Sequence, residues 1–125
     1  MARIMGVKEA MDSYKVVRVS EIEASRVEEE GAEKAWVKWL ISEEDGAPNF
    51  FMRLFELEPG GRTPFHSHPW EHEIFILNGK ARIILGDEEV DVKPETAVYI
   101  PPNLKHSITN PGKELLRFIC LIPRK

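Results

Sequence analysis

At 125 residues the chain has room for one domain with a real core, and too little for two. Its formal charge of −4, with mixed signs and no basic run, argues against a nucleic-acid surface. No stretch approaches the ~20 apolar residues of a membrane span, residues 1–9 lack the apolar core of a signal peptide, and a lone Cys120 builds no internal disulfide, so a cytoplasmic protein is expected.

In chain order, residues 1–15 read as a mobile or partner-dependent arm. Ser20 and Glu23 have capping-box spacing, enough for one short helical turn. Glu28-Glu29-Glu30 reads as a solvated acidic face. Residues 34–42, with Trp36, Val37, Trp39, Leu40 and Ile41, read as a strand. From Phe50 onward, apolar runs are broken by turn residues every eight to twelve or so positions, the pattern of a sandwich or barrel. The first, residues 50–58, stops at Pro59-Gly60-Gly61. The next, residues 73–77, runs into Asn78-Gly79, a hairpin signal that would join it to 81–85. Val90 and Val92 alternate with acids, residues 97–100 end at Pro101-Pro102, and 106–109 end at Asn110-Pro111-Gly112. Residues 115–122 form a last apolar strand. Ile74, Phe75, Ile76 and Leu77 are apolar on both faces and need cover from a second sheet or a second subunit.

The four histidines are the chemistry-bearing residues. His66, His68 and His72 lie within seven positions, and His106 follows Pro101-Pro102. On a strand, His66 and His68 leave the same face, which suits two adjacent positions on one ion, since imidazole binds Zn, Fe, Ni and Cu. His72 and Glu73 are sequence neighbours, so only one of them can reach the same ion.

These residues resemble the two motifs of the cupins. Gly60, His66, His68, Glu73 and Gly79 match the first, with the last gap one residue short. Pro101, His106 and Asn110 match the second, with Glu95 and Asn103 standing where glycines belong. Asparagine tolerates positive φ, so the turn at Asn103 can survive. The resemblance implies an all-β fold, a single-domain cupin built as a double-stranded β-helix or jelly-roll barrel. Residues 46–50, 52–55, 66–73 and 120–123 are further similar to a group of small cupins whose manganese-containing members hold the metal with four histidines. Carried over, these are His66, His68, His72 and His106. That resemblance favours His72, with Glu73 as the alternative. It also implies a barrel over residues 46–125 and an N-terminal arm over 1–45, whose strand joins two copies in a homodimer.

The implied cofactor is one divalent transition metal ion per subunit, Mn or Fe, with Zn, Ni or Cu as alternatives. Four neutral imidazoles leave the ion its full charge and favour its reduced state, which suits activation of O2 or peroxide. Tetrahedral Zn would be saturated by the same four ligands. The expected function is a Mn- or Fe-dependent oxygenase or oxidoreductase acting on a small molecule. The alternatives are a cupin isomerase, epimerase or lyase using the metal as a Lewis acid, and a non-catalytic binding protein. Trp70, Ile108, Phe118 and Leu54 are expected to line the pocket, which suits an aromatic or alkene-like substrate better than a sugar. Cys120 reads as a small buried hydrophobe or a cavity-facing thiol. Arg53 either pairs with Glu56 or Glu58 on the surface or points inward to hold an anionic substrate.

Overall fold

The computed structural model describes residues 14–124. The described chain contains two short 3-10 turns, Val19–Glu21 and Glu43–Asp45, and nine strands: β1 (Ser25–Arg26), β2 (Glu33–Ile41), β3 (Phe50–Arg62), β4 (His72–Asn78), β5 (Ala81–Leu85), β6 (Glu88–Val92), β7 (Ala97–Ile100), β8 (His106–Thr109) and β9 (Leu116–Pro123). The strands are hydrogen-bonded in the order β6-β5-β8-β3-β9-β4-β7, with β2 on β3 and β1 on β2. The sheet curls into a jelly-roll barrel, which covers Ile74 and Ile76 on the inner face of β4 and leaves Phe75 and Leu77 exposed on the outer one.

Period-two alternation decides which side chains face the barrel interior. On β9, Leu116, Phe118, Cys120 and Ile122 are buried while Arg117, Ile119 and Leu121 are less so. On β4 the inward set is His72, Ile74 and Ile76. On β3, Phe51, Phe55 and Leu57 join the same core, together with Ile83, Ile100 and Ile108. Leu54 is fully buried but lies between inward-facing Arg53 and Phe55, so it sits on the opposite face of β3 and cannot line the interior.

Three local expectations are corrected. The strand expected to stop at Pro59-Gly60-Gly61 runs on to Arg62. It turns a barrel corner there, pairing first with β9 over Phe50–Leu57 and then with β8 at Arg62. Gly60 supplies a positive φ of 83°, and a β-carbon on Gly61 would lie 2.7 Å from the Lys34 carbonyl oxygen. Asn78-Gly79 does not close a hairpin. β4 pairs with β7 and β9, whereas β5 pairs with β6 and β8, so the dipeptide carries the chain from one wall of the barrel to another. The helical turn forms at Val19–Glu21, where the Glu21 carboxylate accepts from the Arg18 backbone, and Ser20 does not cap it.

The expected arm at 1–15 falls on residues almost wholly outside the described range. From residue 14 the chain lies along the sheet. Lys15 Nζ donates to the Leu40 carbonyl at 2.9 Å and Lys38 Nζ to that of Val19 at 3.2 Å. β2 itself forms a long ladder on β3, from Ala35 opposite Leu57 to Ile41 opposite Met52.

Candidate metal centre

Backbone bonds bring the two histidine segments together. The His66 N–H donates to the His106 carbonyl at 3.1 Å and the His106 N–H returns a bond at 2.9 Å, a bridge that locks the loop after β3 onto the start of β8. The Asn103 N–H donates to the His68 carbonyl at 2.7 Å, and Asn103 holds the φ of +70° expected of it. Glu95, at the motif's other departure from glycine, also keeps the left-handed conformation, with φ 68°.

The four rings converge. Five of their pairwise centroid distances fall between 4.5 and 5.2 Å. Ligand atoms of His66, His68 and His106 all lie within 4.8 Å of one another, and His72 Nε2 is 3.0 Å from His68 Nε2. Two nitrogens held at right angles, each about 2.1 Å from one ion, would be about 3 Å apart. His72 and Glu73 separate as strand neighbours must. His72 is buried among the other rings, and Glu73 turns to the opposite face, where burial and then the neighbouring Glu71 raise its carboxyl to about 7.

Each ring is oriented by a partner outside the cluster. His106 Nδ1 is 2.9 Å from the Leu104 carbonyl, His68 Nδ1 3.4 Å from that of Trp70, His72 Nδ1 3.1 Å from Cys120 Sγ, and His66 Nδ1 3.2 Å from Glu29 Oε2. A neutral imidazole that donates through Nδ1 keeps its lone pair on Nε2, so the three oxygen partners, of His66, His68 and His106, favour that tautomer, while the Cys120 thiol can either donate or accept. Trp70 adds a flat stack on His68, with centroids 4.4 Å apart and the planes parallel. His66, His68 and His106 therefore form a group that could hold a metal ion, with the His72 ring packed beside them.

Electrostatics agree with that fit. Burial holds His72 far below the usual imidazole value, at about 3, with further lowering from His68 and Arg53. Burial also lowers His68 and His106. These three rings are neutral near pH 7, which is the form that binds metal. The consequence for metal-free protein has a definite sign. The folded pKa of His72 lies below its ordinary 6.5, so the unfolded chain takes up the proton first as the pH drops. Stability is intact above pH 6.5 and is lost as the pH falls from there towards 3. The melting temperature of metal-free protein should fall through this window, and His72→Gln should flatten the fall. Equal slopes in the two proteins would contradict the assignment.

Glu29 is the residue that the sequence hid. It lies in the loop between β1 and β2, 37 positions from His66, inside an acidic run that reads as plain solvated surface. The loop is fastened over the first histidine segment by Arg62 Nε, which donates to the Gly31 carbonyl at 3.1 Å. Outer partners of metal-binding histidines typically contribute about 10–100-fold in affinity. Glu29 is more than half exposed, so Glu29→Gln should weaken metal retention by about tenfold, the low end of that range, read by competition with a chelator. No change would remove Glu29 from the site.

The remaining expected residues divide by position. Ile108 and Phe118 are buried core residues, and Phe118 stacks on Phe55 at 5.3 Å. Cys120 is buried, and burial pushes its thiol above the ordinary value despite the pull of Arg53. Arg53 faces inward: Nη2 donates to Cys120 Sγ at 3.1 Å. Its surface alternatives are engaged elsewhere, Glu56 with Arg117 at 3.1 Å and Glu58 with Trp36 Nε1 at 3.0 Å.

Known proteins resemble this chain in fold and sequence. The polyketide cyclase RemF from Streptomyces resistomycificus superposes with a TM-score of 0.85 at 34% identity, over 90% of this chain and 80% of its own. A predicted oxalate decarboxylase from Thermotoga maritima gives a TM-score of 0.78 at 28% identity, over 88% and 99%. Among curated sequences, the mannose-1-phosphate guanylyltransferase RfbM of Salmonella typhimurium is 32% identical over 69% of this chain, which spans only 18% of that enzyme. The Cupin_2 family, described as a cupin domain, matches residues 53–122. That stretch is more than half of the chain and contains both histidine segments; the chain belongs to the cupin family.

Proposed function

We propose that this cupin is a Mn- or Fe-dependent oxygenase or related oxidoreductase that acts on a small organic molecule with O2 or peroxide. The observation that supports it is the cluster of four imidazole rings, three of which have Nδ1 beside an oxygen that can only accept. His66, His68, His72 and His106 would hold the ion. When bound, it supplies a redox-active centre that retains its full charge and exposes positions for further ligands. The chain's own residues do the rest. Glu29, Trp70, Cys120 and Leu104 hold the rings in register, and the buried Phe55, Phe118 and Ile108 keep bulk water out of the interior. That apolar surround favours an aromatic or alkene-like substrate over a sugar.

Peroxide-dependent oxidation of an alkene probe by Mn- or Fe-loaded protein tests the reading. Turnover in the wild type that disappears in His106→Ala is expected, and no oxidation with either metal would overturn it. A second reading, cyclisation or isomerisation with the metal as Lewis acid, draws support from the likeness to a polyketide cyclase.

We also propose a homodimer formed through the N-terminal strands. Trp39 on β2 is 42% exposed, an apolar side chain that a second copy would cover. Light scattering should give twice the chain mass at micromolar concentration, and a monomer would count against it.

A further inference from the structure

Arg53 is a charged side chain on an otherwise apolar inner face. Strand alternation places it between Phe51 and Phe55, and pairing places Trp39 of β2 on one side and Cys120 of β9 on the other. Its guanidinium carbon lies 4.8 Å from the Phe55 ring centroid and 5.4 Å from that of Trp39. Nη2 reaches only a thiol, a weak acceptor, and Nε is fully enclosed with no acceptor at all. Among the described residues, no ion pair includes Arg53. A guanidinium in this setting is costly without an anion, and one kept only for packing would be replaced at no loss by an apolar side chain. The residue is half-buried, so part of it stays reachable. Two contacts of 3.1 Å, Arg53 to Cys120 and Cys120 to His72, lead from it to the histidine cluster.

We propose that Arg53 is the anion-binding residue of the barrel and that the natural ligand carries a carboxylate. The reachable end of the guanidinium receives the carboxylate beside the faces of Trp39 and Phe55, and the apolar body of the ligand extends towards the histidines. This rests on the reading of the barrel as a small-molecule site. A monoanion is favoured over a phosphate because, among the described residues, the buried polar side chains are His72, His106, Ser107 and Asn110, and none is a second cation.

Calorimetric titration of metal-loaded protein with cinnamate and with cinnamyl alcohol, which share one skeleton, tests the proposal without reading turnover. Wild type should bind cinnamate about tenfold or more tightly than the alcohol. Arg53→Met should bring the ratio of the two affinities to about one, and Arg53→Lys should keep part of the preference. Should the Met variant not fold, an undiminished preference in Arg53→Lys overturns the proposal. The preference should persist in metal-stripped wild type. A preference that survives in Arg53→Met and vanishes on metal removal would put the carboxylate on the ion and overturn the assignment to Arg53. Inorganic phosphate should not displace cinnamate at equal concentration, and displacement would overturn the carboxylate. A protein that selects cinnamate yet oxidises nothing fails as an oxygenase and keeps its anion site. One that oxidises a neutral alkene with no preference for cinnamate does the reverse.

Discussion

His72→Ala should strip the protein of its metal, and Glu73→Ala should leave the metal in place. The two residues are adjacent, and a strand sends them to opposite faces. His72 is 7% exposed, its Nε2 is 3.0 Å from that of His68, and its Nδ1 is held by Cys120. Glu73 shares its environment with Glu71, away from the rings. Removing a ligand should cost more than the loss of an outer partner, so affinity should fall by more than about 100-fold in His72→Ala. Metal content after dialysis against a chelator reads both variants. Metal lost from the Glu73 variant and retained in the His72 variant would invert the ligand assignment.

Gly79→Val should be among the most damaging single changes available in this chain. Gly79 holds φ at +88°, and a β-carbon there would meet the Leu115 carbonyl oxygen at 2.6 Å and Leu116 Cα at 2.8 Å. Both neighbours are backbone, so relief requires moving the start of β9, which carries Leu116, Phe118 and Cys120 into the core. The forbidden φ costs about 1–3 kcal/mol and the overpacking a similar amount, so a loss of roughly 2–6 kcal/mol is expected. That is a large share of a typical domain's stability. Chemical denaturation measures it. A midpoint unchanged from wild type would mean that β9 does not pack against this corner.

Those two cases mark what the sequence makes legible. Histidine spacing and the runs of apolar residues announce the histidine cluster and the strands, because side-chain period and turn chemistry are local. Gly79 announces that a glycine is needed, but Asn-Gly reads as a hairpin when only local geometry is considered. Its true constraint is the backbone of Leu115 and Leu116, more than thirty residues away, which no local pattern encodes. Pro59-Gly60-Gly61 misleads for the same reason: the residues that stop a strand in isolation let a long one turn a barrel corner. Glu29 is hidden because an acid that orients a histidine is chemically identical to one that faces water, and only the fold brings it to 3.2 Å from His66. Arg53 lies between these extremes. Its place in an apolar strand signals something unusual, while the choice between surface pair and interior charge depends on Glu56 and Glu58 being taken by other partners.

In the proposed centre, four imidazoles hold a redox-active ion. Elemental analysis of untagged protein, combined with electron paramagnetic resonance, tests it most directly. About one Mn or Fe per chain is predicted, the number one centre of this kind can hold, with a signal that changes when peroxide is added. Full occupancy by zinc, in protein from recombinant and native sources alike and with no oxidation of an alkene, would contradict it.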